Sequence, residues 1–141
     1  MEEAYKIVCI ETPGDIPWAI IGGGINDYNE QQAGDSHGRS LCFVVQGPDQ
    51  EVVGGVIGET HWNWLYINLM WLREEFRGQG YGQRLLALAE EEGRKRGAEY
   101  AYLDTFSFQA PGFYQKYGYE VFGELADFPP GQRRYYLKKE L

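Results

Sequence analysis

The sequence predicts an α+β fold: a mixed, mostly antiparallel central sheet with one parallel crossover and helices on both faces. Three observations predict it. An apolar run, Trp64–Leu72, leads into the glycine turn Arg77-Gly78-Gln79-Gly80-Tyr81-Gly82, then a helical pattern from Gln83, then a strand-like stretch, Glu99–Thr105. Strand, turn, helix, strand is a βαβ crossover, so its strands are parallel. Leu41–Val45 and Glu51–Gly58 are strand-like runs joined by Gly47-Pro48-Asp49-Gln50, the turn chemistry of an antiparallel hairpin. Near the C-terminus, Tyr119–Phe122 and Arg133–Leu137 flank the turn Phe128-Pro129-Pro130-Gly131.

In chain order, Tyr5–Ile10 reads as a first strand, ended by Thr12-Pro13-Gly14. Asp15 can cap a helix with Pro17 near its first turn and Trp18, Ile20, Ile21 and Ile25 on its buried face. Gly22-Gly23-Gly24 interrupts that helix, since each glycine costs about 1 kcal/mol relative to alanine. The expectation is a short or broken helix, then a polar loop from Asn26 to Arg39. The triple glycine reads as a helix break or as a place where a substrate approaches backbone. Trp64–Leu72 is too continuous to be half-exposed and reads as a central strand. The helix after the glycine turn packs through Leu85, Leu86, Leu88 and Ala89. Arg94, Lys95 and Arg96 complement its dipole, and Gly97 ends it. Gln109–Tyr117 is a short helix with Pro111 in its first turn and Gly118 beyond it.

With 141 residues the chain reads as one domain, residues 1–141. The net charge of −8 argues against a nucleic-acid partner and favours cations, amines included, although solubility alone explains most of it. Cys9 and Cys42 sit in apolar runs and are expected to be buried, inert thiols. No metal-ligand spacing occurs, and the histidines are His37 and His61. The N-terminus lacks a leader pattern and no apolar run approaches the ~20 residues of a membrane span, so a cytoplasmic protein without a membrane partner is expected.

The glycine turn is the chemistry-bearing stretch. First-turn N–H groups of a helix lack intrahelical partners and favour an anion, glycines admit it closely, and Arg77 adds a fork of donors. No Gly-Lys-Ser/Thr follows, so the turn is not a Walker loop. Gln83 stands where a dinucleotide fingerprint needs its third glycine, although Asp104 lies at a tolerable distance for a ribose-binding acid. A glycine-rich turn without a ligand is the bland alternative.

The spacing Arg77-x-x-Gly80-x-Gly82 matches Arg/Gln-x-x-Gly-x-Gly/Ala and resembles the GNAT superfamily of acyl-CoA-dependent N-acetyltransferases. A second segment, Ala110-Pro111-Gly112-Phe113-Tyr114-Gln115-Lys116-Tyr117-Gly118-Tyr119, is similar to that family's A-x-x-F-Y-x-K-x-G-[FY] run, in the right order one strand later. The match is good over about residues 41 to 122. The resemblance implies acetyl transfer from acetyl-CoA to an amine without a metal, with the parallel crossover at the CoA site. It implies CoA pyrophosphate on Arg77, Gly78, Gln79, Gly80, Tyr81 and Gly82, and an oxyanion donor from the backbone of Leu69, Met70, Trp71 or Leu72. Tyr114 matches the family's general acid, with a packing tyrosine as its alternative. For the base the candidates are Glu59, Asp104 and His61. The central strand carries Asn68 where some members have a glutamate, which leaves the base unassigned. The acceptor is a small-molecule or peptide amine, and a homodimer is one open assembly. A non-catalytic acyl-CoA-binding module of the same fold is the rival reading, followed by a nucleotide-binding interaction domain.

Overall fold

The computed structural model describes residues 4–141. They fall into two compact units, Met1–Ser36 and His37–Leu141.

In the first unit the expected strand at Tyr5–Ile10 does not form: the segment has no regular structure and is exposed. A β-branched run supplies strand propensity, but a strand also needs a partner for its backbone groups. A 3-10 turn at Pro13–Asp15 precedes helix α1, Trp18–Ala33. The helix runs unbroken through Gly22-Gly23-Gly24 and takes up most of the expected loop. Glycine weakens a helix without blocking it, and Glu30-Gln31-Gln32-Ala33 at its end are good helix formers. Gly34, at φ 80°, ends it with its N–H bonded to the Glu30 carbonyl at 2.8 Å. No residue of α1 is buried, so Trp18, Ile20, Ile21 and Ile25 are not core residues of this unit.

The second unit is a six-stranded sheet with two helices. Its strands are β1 (Arg39–Gln46), β2 (Val52–His61), β3 (Trp64–Leu72), β4 (Tyr100–Phe106), β5 (Glu120–Ala126) and β6 (Arg133–Glu140), in the order β1-β2-β3-β4-β6-β5. β3 and β4 are parallel, as the crossover requires, and every other neighbouring pair is antiparallel. Helix α2 (Tyr81–Lys95) makes the crossover, and α3 (Pro111–Lys116) follows β4.

Alternation sorts each strand onto two faces. Val56, Leu65, Ile67, Ala101, Leu103 and Leu137 face the core, where Leu85, Leu86 and Ala89 of α2 meet them with Tyr114 and Tyr119. Leu88 is exposed instead, and Glu90 and Gly93 complete the buried side of α2. Cys9 and Cys42 are both exposed, against expectation. On β1 the core side belongs to Leu41 and Phe43, which turns the intervening Cys42 to the other face. That other face carries rows in register: Glu59, Tyr66, Tyr102 and Lys138 in one, and Asp104 with Tyr136 in the next.

Glu90 is a buried carboxylate on the helix that begins at the glycine turn. It accepts hydrogen bonds from Tyr119 Oη at 2.8 Å and from Lys139 Nζ at 3.0 Å, which ties α2 to β6. Removing one partner of such a pair leaves a charge in a poor solvent. Lys139→Met is expected to destabilise the fold by about 3 kcal/mol, the low end for a pair with one partner still in reach of water. Glu90→Gln combined with Lys139→Met should recover part of that loss in urea unfolding. A double variant no more stable than Lys139→Met would contradict the pairing.

Candidate active site

The site begins where a strand pair stops. β3 and β4 pair at Trp64–Ile67 against Tyr100–Leu103 and no further, although β3 continues to Leu72 and β4 to Phe106. On the other side of β3, Gly58 pairs with Ile67 and Ile57 with Leu69, so Asn68 is an extra residue without a partner. Such a bulge bends its strand and increases its twist. Beyond it, Leu69–Leu72 keep only β2 as a strand neighbour and have no strand partner on the β4 side. A cleft of about 650 Å³ fills the gap, lined by residues of β3 and β4 and by Phe108, Gln109 and Ala110 beyond β4.

At one end of the cleft stands the glycine turn. Gly78 and Gly80 adopt φ 74° and 88°, in the left-handed region that side chains disfavour. A Cβ on either would stand in open space with nothing within 4 Å. Gly80 is the N-cap of α2, and no side chain caps the first-turn N–H groups there. A backbone arrangement of this kind can receive an anion. Arg77 Nε donates to the Leu72 carbonyl at 2.9 Å, which sets the guanidinium beside the end of β3. At Gly82 a Cβ would come into close contact with the Phe113 ring, at 3.4 Å. A second cavity of about 410 Å³ lies over this turn, walled by Gly78, Gly80, Gly82 and Phe113.

Tyr114, Arg77 and the Met70–Leu72 stretch line both cavities, so the two compartments meet at the Tyr114 ring. Tyr114 is held among Phe113 and Tyr119 rings, and its hydroxyl makes no hydrogen bond to the described residues. Burial pushes that hydroxyl up to about 12. At the other end of the cleft Asp104 is held between Arg134 and Tyr66. Arg134 Nε and Nη2 reach its Oδ1 at 3.0 and 2.5 Å, and Tyr66 Oη donates to its Oδ2 at 3.1 Å. Burial, then the charge and hydrogen bond of Asp104, raise the Tyr66 hydroxyl to about 12.

The expected residues divide accordingly. Arg77, Gly78, Gly80, Gly82, Leu69–Leu72, Tyr114 and Asp104 line one or both cavities. Gln79 ties back to the Glu75 carbonyl, and Tyr81 packs on Phe76. Glu59 is not among the lining residues; it pairs with His61 at 2.9 Å, one strand away. The sequence reading missed Tyr66, Arg134 and Gln109. Period-two alternation from Leu65 and Ile67 puts Tyr66 on the second face, but nothing local announces that Arg134 returns to Asp104 from a strand thirty residues on.

Residues 10–119 match the acetyltransferase (GNAT) family. The chain belongs to the GNAT family of acetyltransferases. It is 41% identical over 112 residues to an acetyltransferase of Agrobacterium fabrum, covering 79% of this chain and 82% of that one. It is 42% identical over 96 residues to a blasticidin-S acetyltransferase of Streptomyces morookaense, covering 67% and 71%. The crystal structure of an acetyltransferase from Agrobacterium tumefaciens superposes with a TM-score of 0.91 at 35% identity, over 97% of this chain and all of that one. The splayed strands and the glycine turn thus lie in a GNAT acetyltransferase.

The raised Tyr114 hydroxyl has a stability consequence. The fold favours the neutral form, so this contribution is complete below the ordinary tyrosine value near 10 and is lost as pH rises towards 12. The slope for this one group is up to about 1.4 kcal/mol per pH unit. Urea unfolding between pH 9 and 11.5 should show a shallower decline in Tyr114→Phe than in wild type. Equal slopes would mean that the hydroxyl ionises freely in the cleft.

Proposed function

We propose that this chain moves an acetyl group from acetyl-CoA to the amine of a small molecule. The observation that carries the reading is the meeting of two compartments at Tyr114, one floored by the glycine cradle and the other ending at Asp104. The family match crosses the boundary between the two units, which supports residues 1–141 acting as one transferase domain. The relative named for blasticidin S supports a small-molecule acceptor.

Each residue then has a task. Backbone N–H groups of the turn and Arg77 hold the pyrophosphate of CoA. The unpaired edge of Leu69–Leu72 aligns the thioester and aims an N–H at the acetyl oxygen as negative charge builds there. Asp104, the carboxylate that lines the cleft, faces the acceptor amine and draws off its proton, directly or through water. Tyr114 gives its proton to the departing sulfur. In water that transfer is uphill by roughly 2 kcal/mol, from a phenol near 10 to a thiol near 8.5. Burial lifts Tyr114 further, but the same dry cleft disfavours a charged sulfur, and the two effects oppose each other.

Tyr114→Phe keeps the ring packing and removes the proton donor. Single-turnover acetyl transfer should fall by about 10²–10⁴-fold with CoA affinity nearly unchanged. A rate within threefold of wild type would make Tyr114 a packing residue.

The cradle is tested separately at Gly80. Asparagine tolerates the left-handed backbone and adds no charge, whereas aspartate adds one against the phosphates. Calorimetry should show CoA affinity reduced in Gly80→Asn and at least a hundredfold weaker in Gly80→Asp, both proteins remaining folded. Wild-type affinity in Gly80→Asp would move the pyrophosphate elsewhere.

A further inference from the structure

We propose that Arg134 is the specificity-determining residue of the acceptor end and that it selects an amine which also carries a carboxylate. The proposal rests on the acetyl-transfer reading above. Among the described residues, the charged side chains lining the cleft are Arg77, Asp104 and Arg134. Arg77 belongs to the glycine-turn end, since it also lines the second cavity and is tied to the end of β3. The acceptor end is therefore an ion pair of no net charge, whatever the −8 of the whole chain.

That pair is a poor receptor for a simple ammonium. The Asp104 carboxylate already has a guanidinium on one oxygen and the Tyr66 hydroxyl on the other. A lone cation would have to share it with a cation in place. The guanidinium is different. Nε and Nη2 are spent on Asp104, but Nη1 has no hydrogen-bond partner among the described residues. The rings of Phe106, Phe128 and Tyr136, at 5.4, 5.2 and 5.5 Å, fix its position. Side-chain exposures of 27% for Arg134 and 17% for Asp104 leave the pair reachable yet partly desolvated, where charged hydrogen bonds gain strength. A zwitterion complements it, with its carboxylate on Nη1 and its ammonium facing Asp104. The stacked rings of Phe106 and Phe108, 5.3 Å apart and 6° from parallel, offer a wall for the hydrocarbon between or beside the two charges.

The probes are phenylalanine and phenethylamine, which differ only in the carboxylate. With acetyl-CoA, wild type should use phenylalanine with kcat/KM at least tenfold above phenethylamine. Arg134→Met should lose at least thirtyfold on phenylalanine and several-fold less than that on phenethylamine, because only phenylalanine has a carboxylate for the guanidinium. Arg134→Lys should keep part of the preference and guards against a folding defect in the methionine variant, as does a thermal melt of each protein. Ligand-observed NMR with both probes gives a readout that needs no turnover. Stronger binding of phenylalanine, lost in Arg134→Met, would uphold the specificity even if neither probe were acetylated, and only the acetyl-transfer reading would then suffer. Equal binding of the two probes to wild type, no binding of either, or equal losses on both in Arg134→Met would overturn the proposal.

Discussion

One extra residue in β3 shapes the rest of the site. Asn68 has no partner on β2, and the strand that leaves the bulge no longer reaches β4. A sheet that stayed paired to Leu72 would close the 650 Å³ cleft and cover the backbone edge of Leu69–Leu72. Instead the core is concentrated in the paired part of the sheet, where Leu65, Ile67, Ala101 and Leu103 share one cluster with Leu85, Leu86 and Ala89 of α2. The unpaired part is left to bind something else.

The glycine turn depends on the same geometry. The Leu72 carbonyl receives Arg77 Nε, so the end of β3 positions the cation that stands between the two cavities. The helix begins at Gly80 and is anchored at its far side by Glu90 to Tyr119 and Lys139. The turn and its helix are therefore attached to β3 through Arg77 and to β6 through Glu90. A shift of β3 or of α2 would change the spacing between the cradle, Tyr114 and the exposed strand edge, which is where positioning effects on rate arise.

Much of this was legible locally. The bounds of β3, the hairpin before it and the helix after the turn follow from period-two runs, turn residues and a helical stripe. The cradle was legible because a strand, glycines and a helix start are contiguous. Four features were not. Tyr5–Ile10 has strand composition but no partner, and α1 crosses three glycines because their cost is modest rather than prohibitive. The acceptor end brings together Tyr66, Asp104 and Arg134 from three strands, and pairing across a sheet is a tertiary fact. In sequence the bulge reads as a chemical departure, Asn68 where some members of the family have a glutamate. Its structural meaning is that Asn68 is the residue the ladder leaves out.

Hydrogen exchange read residue by residue is the direct test of the open edge as the binding element. The amides of Met70, Leu72 and Gly78–Gly82 face the cleft or the turn, whereas Leu69 and Trp71 turn theirs towards β2 and Leu65–Ile67 are already paired. Adding saturating acetyl-CoA should slow exchange at Met70, Leu72 and Gly78–Gly82 by tenfold or more and leave Leu65–Ile67 unchanged. Saturation without protection at those residues, or with protection elsewhere in the chain, would contradict the central claim that the splay of β3 from β4 is what receives the acetyl donor.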